Sequence, residues 1–509
     1  MMRNRPRVNL VVHLPGAVSA GGYGAGVLDY LVEALDAFSQ ASERGDAPAH
    51  DVVLTAISGT SAGAQTALIF ASAIAYRFAP AAGEARGRNP FYEHWVVRND
   101  LRDYLSVRDA PTRSLLDPTH VDVVADSVLR FGAGLERVRR PWVAHPLRLG
   151  IAVTNLRGVP TAYPLGGGWG QVDFTRHADA MHFALADVGA APAPPPTAGE
   201  QSCLLPDRPE DKPLAWGALG EACVASGAFP LFFAARGLAR PASGAGHRIC
   251  AVDGGLFESN PLDTAARLVA AGDGAIPTVL LRIGSPPPPT PQGPSRPTGL
   301  LATLGGLATA VWREARGRPD AWNAHPRPPL HAAFTIAPRR PGAEGEAVLA
   351  GAGLGGFAGY FSEALRAHDF LLGRANARAA LSDTLRLPAS DPLFAQWTPQ
   401  QVGAHAIDDA LPLIPLVGAL REQPQEWPAP PERDVDVAVY APAMRRRLAH
   451  VLRGLRPPPG GWLARALCRA AGWTLVPLVA FLITRAVLAR ARAAIANPPP
   501  AAAPAPPAP

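Results

Sequence analysis

The stretch DVVLTAISGTSAGAQTALIF, residues 51–70, constrains the chain more than any other. It passes from a buried-type β segment to a helical pattern across only Gly59, Thr60, Ser61, Ala62 and Gly63. A turn that tight between strand and helix belongs to the α/β class and has the arrangement of a nucleophile elbow. A serine pinned there needs neighbours without side chains, and the turn lifts its hydroxyl above the carboxyl edge of the sheet. The helix start adds backbone N–H groups and a positive dipole end, both favourable to a developing oxyanion. The same five residues also suit an ordinary helix start with Ser61 near the N-cap.

The rest of the chain agrees with a layered α/β fold. Short β-rich runs alternate with helical patterns: VNLVVHL and then residues 26–39, DVVLTAI and then residues 62–76, followed by RLGIAVTNL, RICAVDGG and PTVLLRIG. That order predicts a mostly parallel sheet covered by helices on both faces. With 509 residues, 48% of them hydrophobic, the chain can bury a large core, and its length suggests two to four domains. Proline-dense stretches at residues 191–213 and 284–299 read as loops or linkers without ladders, and the tail NPPPAAAPAPPAP as disordered or polyproline-like.

The net charge of +6 comes almost wholly from scattered arginine, Lys212 being the sole lysine. No basic stripe interleaved with aromatics appears, so nucleic acid is not an expected partner. Cys203, Cys223, Cys250 and Cys468 have neither disulfide-framework nor metal-ligand spacing, which fits a reduced compartment and no metal site. The first apolar run is too short for a signal-peptide core and reads as a strand.

Two further stretches bear on Ser61. LPGAVSAGGYGAGVLDYL, residues 14–31, is a glycine-rich turn directly after the first strand and before a helix. It fits G-x-G-x-x-G poorly and lacks a convincing acidic ribose partner, which argues against a dinucleotide site. In CAVDGGLFESNP, Asp253 ends a strand ahead of Gly254 and Gly255, at the sheet edge where α/β proteins bind ligands. An Asp-Gly turn with no other role reads the same way.

Taken together these motifs resemble the patatin-like phospholipase family over roughly residues 8–284, with EACVASGAFPLFF and GIAVTNLRGVP similar to its connecting segments. GGFAGYFSEALRAHDFLLGRAN is more loosely similar to bacterial members with a carboxyl-terminal helical extension. The resemblance implies a three-layer α/β/α fold with a mainly helical carboxyl-terminal region. Its expected divisions are a catalytic domain at 1–285, a Pro-rich linker at 286–300, a helical extension at 301–456, an apolar or amphipathic helix at 457–496 and a disordered tail at 497–509. It also implies a Ser–Asp dyad of Ser61 as nucleophile and Asp253 as base, with motif glycines Gly59, Gly63, Gly254 and Gly255. The oxyanion hole falls on main-chain N–H groups at Gly16, Ala17, Val18 and Ala62. The implied substrate is a lipid or phospholipid ester, hydrolysed through an acyl-enzyme with no metal or cofactor.

The glycine loop departs from the family's GGGxRG: Ala17 and Val18 occupy glycine positions and Ala20 the arginine position. Backbone donors survive such changes, because any non-proline residue supplies an N–H. Two other functions remain open on the sequence. One is an α/β-hydrolase triad, which would draw a histidine from His325, His331, His368, His405 or His450, with His368 beside Asp369 the first to check. The other is a membrane-associated scaffold without chemistry. Residues 470–484 form an uncharged run flanked by arginines. As a helix it reaches about 22 Å, short of the ~30 Å hydrocarbon core, so a shallow membrane anchor is expected, with a span or a buried helix as alternatives. The expected location is cytoplasmic and membrane-associated.

Overall fold

The computed structural model describes residues 5–81, 88–165, 170–197, 199–240, 248–258, 262–270, 274–284, 330–454 and 462–497, with scattered positions between 299 and 314. The Pro-rich linker and the tail lie outside the described residues except for positions 299 and 497. The central strands are β1 (Arg7–Leu14), β2 (Asp51–Thr60), β3 (Arg140–Pro164), β4 (Gln171–Ala186), β5 (Gly189–Pro192), β6 (Glu200–Leu204), β7 (Arg236–Ala239), β8 (Arg248–Asp253), β9 (Thr278–Ile283) and β10 (Ala332–Ile336). They form one sheet in the order β10-β9-β1-β2-β3-β4-β6, with β5 and β8 joined to β3 and β7 joined to β8. The run from β10 through β3 is parallel.

Both faces of this parallel core are covered, as its near-continuous apolar strands require. On β1, Val8, Leu10, Val12 and Leu14 enter the main core with Leu28, Leu31 and Leu35 of α1 (Gly21–Arg44) and Leu68 of α2 (Ala62–Ala73). Val11 points to the other face, where Ala265 and Leu268 of α5 (Leu262–Ala270) cover it. Between these, α3 (Thr119–Leu129) and α4 (Gly217–Ser226) flank α2.

The carboxyl-terminal region is welded to this core. Helix α6 (Glu363–Ala379) crosses α1 so closely that a Cβ on Gly26 would lie 1.9 Å from the Phe370 carbonyl oxygen, and one on Gly373 2.1 Å from that of Tyr23. Arg374 of α6 pairs with buried Asp29 and, at 2.7 Å, with Glu33. A second apolar cluster joins Phe361 and Leu365 to Met444 of α7 (Ala441–Gly454) and to Leu488, Ala491 and Ile495 of α8 (Trp462–Ala496).

Several local expectations change. Residues 191–213 are not all loop: the proline-free EQSCL within them forms β6, which pairs in parallel with β4. Strand β8 runs antiparallel to β3. Helix α1 begins at Gly21, five residues before the expected start. Lys212 is fully buried, its ammonium donating to the Ser72 and Phe131 carbonyls and the Ser72 hydroxyl, and burial lowers its pKa to about 7. Among the described residues no helix is long and apolar enough to cross a membrane.

Candidate active site

The turn between β2 and α2 is a strained one. Ser61 has φ 53° and ψ −119°, a backbone region hostile to any side chain. Its surroundings hold it there. The Ser61 N–H donates to Ser226 Oγ at 2.8 Å, and that hydroxyl donates onward to the Ala152 carbonyl of β3 at 2.6 Å. The Thr60 hydroxyl donates to the Glu258 carbonyl at 2.9 Å. The flanking positions admit no side chain: a Cβ on Gly63 would sit 2.1 Å from the Leu14 carbonyl oxygen, and one on Gly59 2.8 Å from that of Gly63.

Sheet register brings Asp253 to this serine. β2 runs along one edge of β3 until Thr60 pairs with Ala152. The other edge belongs to β4, so when β8 pairs Asp253 with Val153 it occupies the place that β2 has just left. The last residue of β8 thus faces the first residue after β2. Ser61 Oγ donates to Asp253 Oδ2 at 2.7 Å, and the Gly255 N–H donates to Oδ1, also at 2.7 Å. Gly254 packs against β3, where a Cβ would lie 2.4 Å from the Ala152 carbonyl oxygen.

Asp253 is 3% exposed, and among the described residues no cation pairs with it. Burial raises its pKa to about 6, the two hydrogen bonds pulling the other way. A carboxylate perturbed by desolvation, bonded to a serine hydroxyl and facing a cavity, has the character of a general base.

The parallel register of β1 and β2 pairs Leu14 with Gly59, so the loop after β1 lies beside the elbow. Gly16, Ala17 and Val18 line one cavity of about 240 Å³ with Ser61, Ala62, Asp253 and Gly255. Ala62 opens α2, and an N–H in the first turn of a helix has no acceptor within it. Val18 is held at φ 50°, a rare conformation for a β-branched residue. Ala20 closes a 3-10 turn by donating its N–H to the Ala17 carbonyl at 2.9 Å.

Of the other walls, only the phenylalanines of AFPLFF were expected from the sequence, as the apolar surroundings that desolvate the aspartate. Phe229, Phe232 and Phe233 come from the segment after α4, and Trp95 and Tyr104 from short helical turns before α3. Leu354, Gly355, Phe357 and Tyr360 come from the carboxyl-terminal region. Ser226 was also missed, although it sits inside the quoted segment EACVASGAFPLFF.

His368 does not serve Ser61. It is 4% exposed rather than on a solvated helix face, with Nδ1 3.0 Å from Asp369 and Nε2 accepting from Arg340 at 2.9 Å. His331 contacts Asp391, and His450 the Asp109 carbonyl. His325 lies outside the described residues. Cys203, Cys223 and Cys250 are unpaired thiols, and among the described residues no group of three or more His, Cys, Asp or Glu is placed to hold a metal ion.

Comparison with known proteins adds three findings. The uncharacterised protein y4iI of Sinorhizobium fredii (strain NBRC 101917 / NGR234) is 29% identical over 551 aligned residues, spanning 89% of this chain and 76% of its own length. The crystal structure of VipD from Legionella pneumophila aligns at 12% identity and a TM-score of 0.22, over 73% of this chain and 66% of that one, too loose a likeness to add weight. Residues 14–266, which contain the elbow, the glycine loop and the aspartate strand, match the patatin-like phospholipase family. By that match residues 14–266 form a patatin-like phospholipase domain, of a family of lipid acyl hydrolases.

Proposed function

We propose that the protein is a serine acyl hydrolase of lipid esters that works through a Ser61–Asp253 dyad. The observation that carries this reading is the 2.7 Å hydrogen bond from Ser61 Oγ to Asp253 Oδ2 at the wall of a cavity lined by Gly16, Ala17 and Val18. Ser61 attacks the ester carbonyl while its proton passes to Asp253. The tetrahedral oxyanion is met by the Ala62 N–H and by N–H groups of residues 16–18. Collapse expels the alcohol, which takes the proton from Asp253, and leaves the acyl group on Ser61. Asp253 then accepts a proton from water as that water attacks the acyl-enzyme, and returns it to Ser61 Oγ as the fatty acid leaves. Every proton moves between named groups, so the cycle calls on no metal or cofactor.

The substrate reading is a phospholipid or lysophospholipid ester reached at a membrane surface. On α8, Leu475, Leu478, Phe481 and Leu482 are exposed, and residues 462–496 carry five arginines and no acidic residue. An apolar, purely cationic helix face suits a monotopic contact with an anionic leaflet.

A fluorophosphonate probe followed by peptide mapping tests the nucleophile: the label is expected on Ser61 and lost in Ser61→Ala. Turnover of a short-chain chromogenic ester should fall by on the order of 10³-fold or more in both Ser61→Ala and Asp253→Asn. Equal turnover by all three proteins defeats the dyad. No turnover by the parent chain favours the scaffold reading instead.

A further inference from the structure

The family match ends at residue 266, yet the cavity around Ser61 is also lined by residues much later in the chain. Two consecutive short 3-10 segments, Ala350–Gly356 and Ala358–Phe361, form a strap over it. The strap is fastened at several points. The Asp369 carboxylate accepts the Ala350 and Gly351 N–H groups at 2.6 and 2.9 Å. The Arg366 guanidinium bridges the Gly359 carbonyl at 2.9 Å and the Val96 carbonyl at 2.8 Å, tying the strap to the domain. The Ser19 hydroxyl donates to the Gly356 carbonyl, so the strap lies directly against the glycine loop. Asp369 and Arg366 are each 1% exposed.

Between these anchors the backbone turns through three consecutive positive-φ residues, Leu354 (57°), Gly355 (67°) and Gly356 (97°). A leucine in the left-handed region costs about 1–2 kcal/mol, and persists only where the surroundings over-determine it. Leu354 borders the cavity as a result. Beyond it, Phe357 stacks on Phe232 of the domain with centroids 5.1 Å apart at 28°, and Tyr360 meets Tyr104 edge-on at 5.7 Å. Strap and domain therefore make one continuous aromatic wall. Leu354 and Phe357 therefore border the same cavity, of about 240 Å³, as Ser61 and Asp253.

We propose that the strap is the acyl-selecting wall of the active site, with Leu354 and Phe357 disfavouring longer acyl chains among the lipid esters it takes. This rests on the acyl-hydrolase reading above. A rigid wall discriminates by excluding added methylenes, each worth about 10-fold or more when it cannot be housed.

The test measures kcat/KM for p-nitrophenyl butyrate, octanoate and dodecanoate with the full chain. The parent is expected to hydrolyse dodecanoate at least about tenfold less well than the better of the other two. Leu354→Gly removes a wall residue and relieves its left-handed strain, so the variant folds, and Phe357→Ala removes the neighbouring ring. Each should raise the dodecanoate-to-butyrate ratio by about tenfold, and Phe357→Trp should lower it. A parent that prefers dodecanoate, or ratios that stay within about twofold in both truncations while Ser61 still takes the fluorophosphonate label, overturns the proposal. Should Phe357→Ala not fold, Leu354→Gly decides alone. A parent chain whose Ser61 is not labelled instead overturns the hydrolase reading, and acyl selection with it.

Discussion

Two turns border the same cavity and solve the same problem by different means. The elbow holds Ser61 at φ 53° and the strap holds Leu354 at φ 57°. At the elbow part of the constraint is local, since a strand ends, a helix begins and Gly59 lies against Gly63 and Ala64, and part comes from close packing on Leu14, Ser226 and Glu258. At the strap it is remote, since Ser19 reaches the Gly356 carbonyl across 337 residues of sequence and Arg366 reaches Val96 across 270. A turn packed between strand and helix is rigid because its neighbours leave no space. A remotely built one is rigid only while its anchors hold.

That difference separates two glycine substitutions by a wide margin. Gly63→Ala at the elbow places a methyl 2.1 Å from the Leu14 carbonyl oxygen, and β1, paired on both sides with β2 and β9, cannot yield without disturbing the sheet. We expect a loss of about 4 kcal/mol or more in urea unfolding, together with loss of Ser61 labelling. Gly355→Ala at the strap meets nothing within 4 Å and incurs only the left-handed penalty of about 1 kcal/mol. Equal costs at the two sites would dissolve the distinction between the close-packed elbow and the open strap turn.

The two buried aspartates sharpen it further, because the same substitution should have opposite signs. Asp253 is a carboxylate whose pKa burial raises from 3.8 to about 6. Its neutral form suits the fold, so relative to an uncharged residue its penalty is absent below about pH 4, grows as pH rises towards 6, and is full above that at about 3 kcal/mol. Asp253→Asn should therefore be more stable than the parent by up to about 3 kcal/mol at pH 7, with the gap closing as the pH falls to 4. In the parent, kcat/KM should fall tenfold per pH unit below about 6, where the base is protonated. Asp369, by contrast, accepts N–H groups on both oxygens. An amide there turns one acceptor into a donor facing a donor, so Asp369→Asn should destabilise by about 1–3 kcal/mol. Melting curves of the two variants at pH 7 check the signs.

Legibility in the sequence follows the same division. DVVLTAISGTSAGA announces a strand, a tight turn and a helix because all three signals lie within fourteen residues, and Asp253-Gly254-Gly255 marks a strand end as plainly. Apolar runs such as VNLVVHL disclosed a doubly covered sheet, since β1 is buried on both faces. The strap was opaque for a physical reason. GAGLGGFAGYF reads as loose glycine-rich chain, and only the fold places Asp369, Arg366 and Ser19 around it. Ser226 escaped likewise, its role being set by a sheet register that joins residues 61, 152 and 226. Proline density misled at residues 200–204, where five proline-free residues suffice to add an edge strand.

The smallest effect is also the most direct measure of stored strain. At a left-handed position glycine outcompetes alanine because it has no Cβ to collide with its own carbonyl, whereas at ordinary positions alanine wins. At residue 354, with φ 57° and ψ 34°, Leu354→Gly should be more stable than Leu354→Ala by about 1 kcal/mol, although both lose the same side-chain contacts beyond Cβ. At residue 61 the torsions are φ 53° and ψ −119°, outside even the left-handed well, and Ser61→Gly should exceed Ser61→Ala by about 2–3 kcal/mol. Because each pair shares its site, the comparison removes hydrogen bonding and packing beyond Cβ and leaves the backbone alone. If alanine matches glycine at 354 but not at 61, the strap turn relaxes in solution while the elbow does not, and Leu354 is then a mobile wall rather than a fixed one.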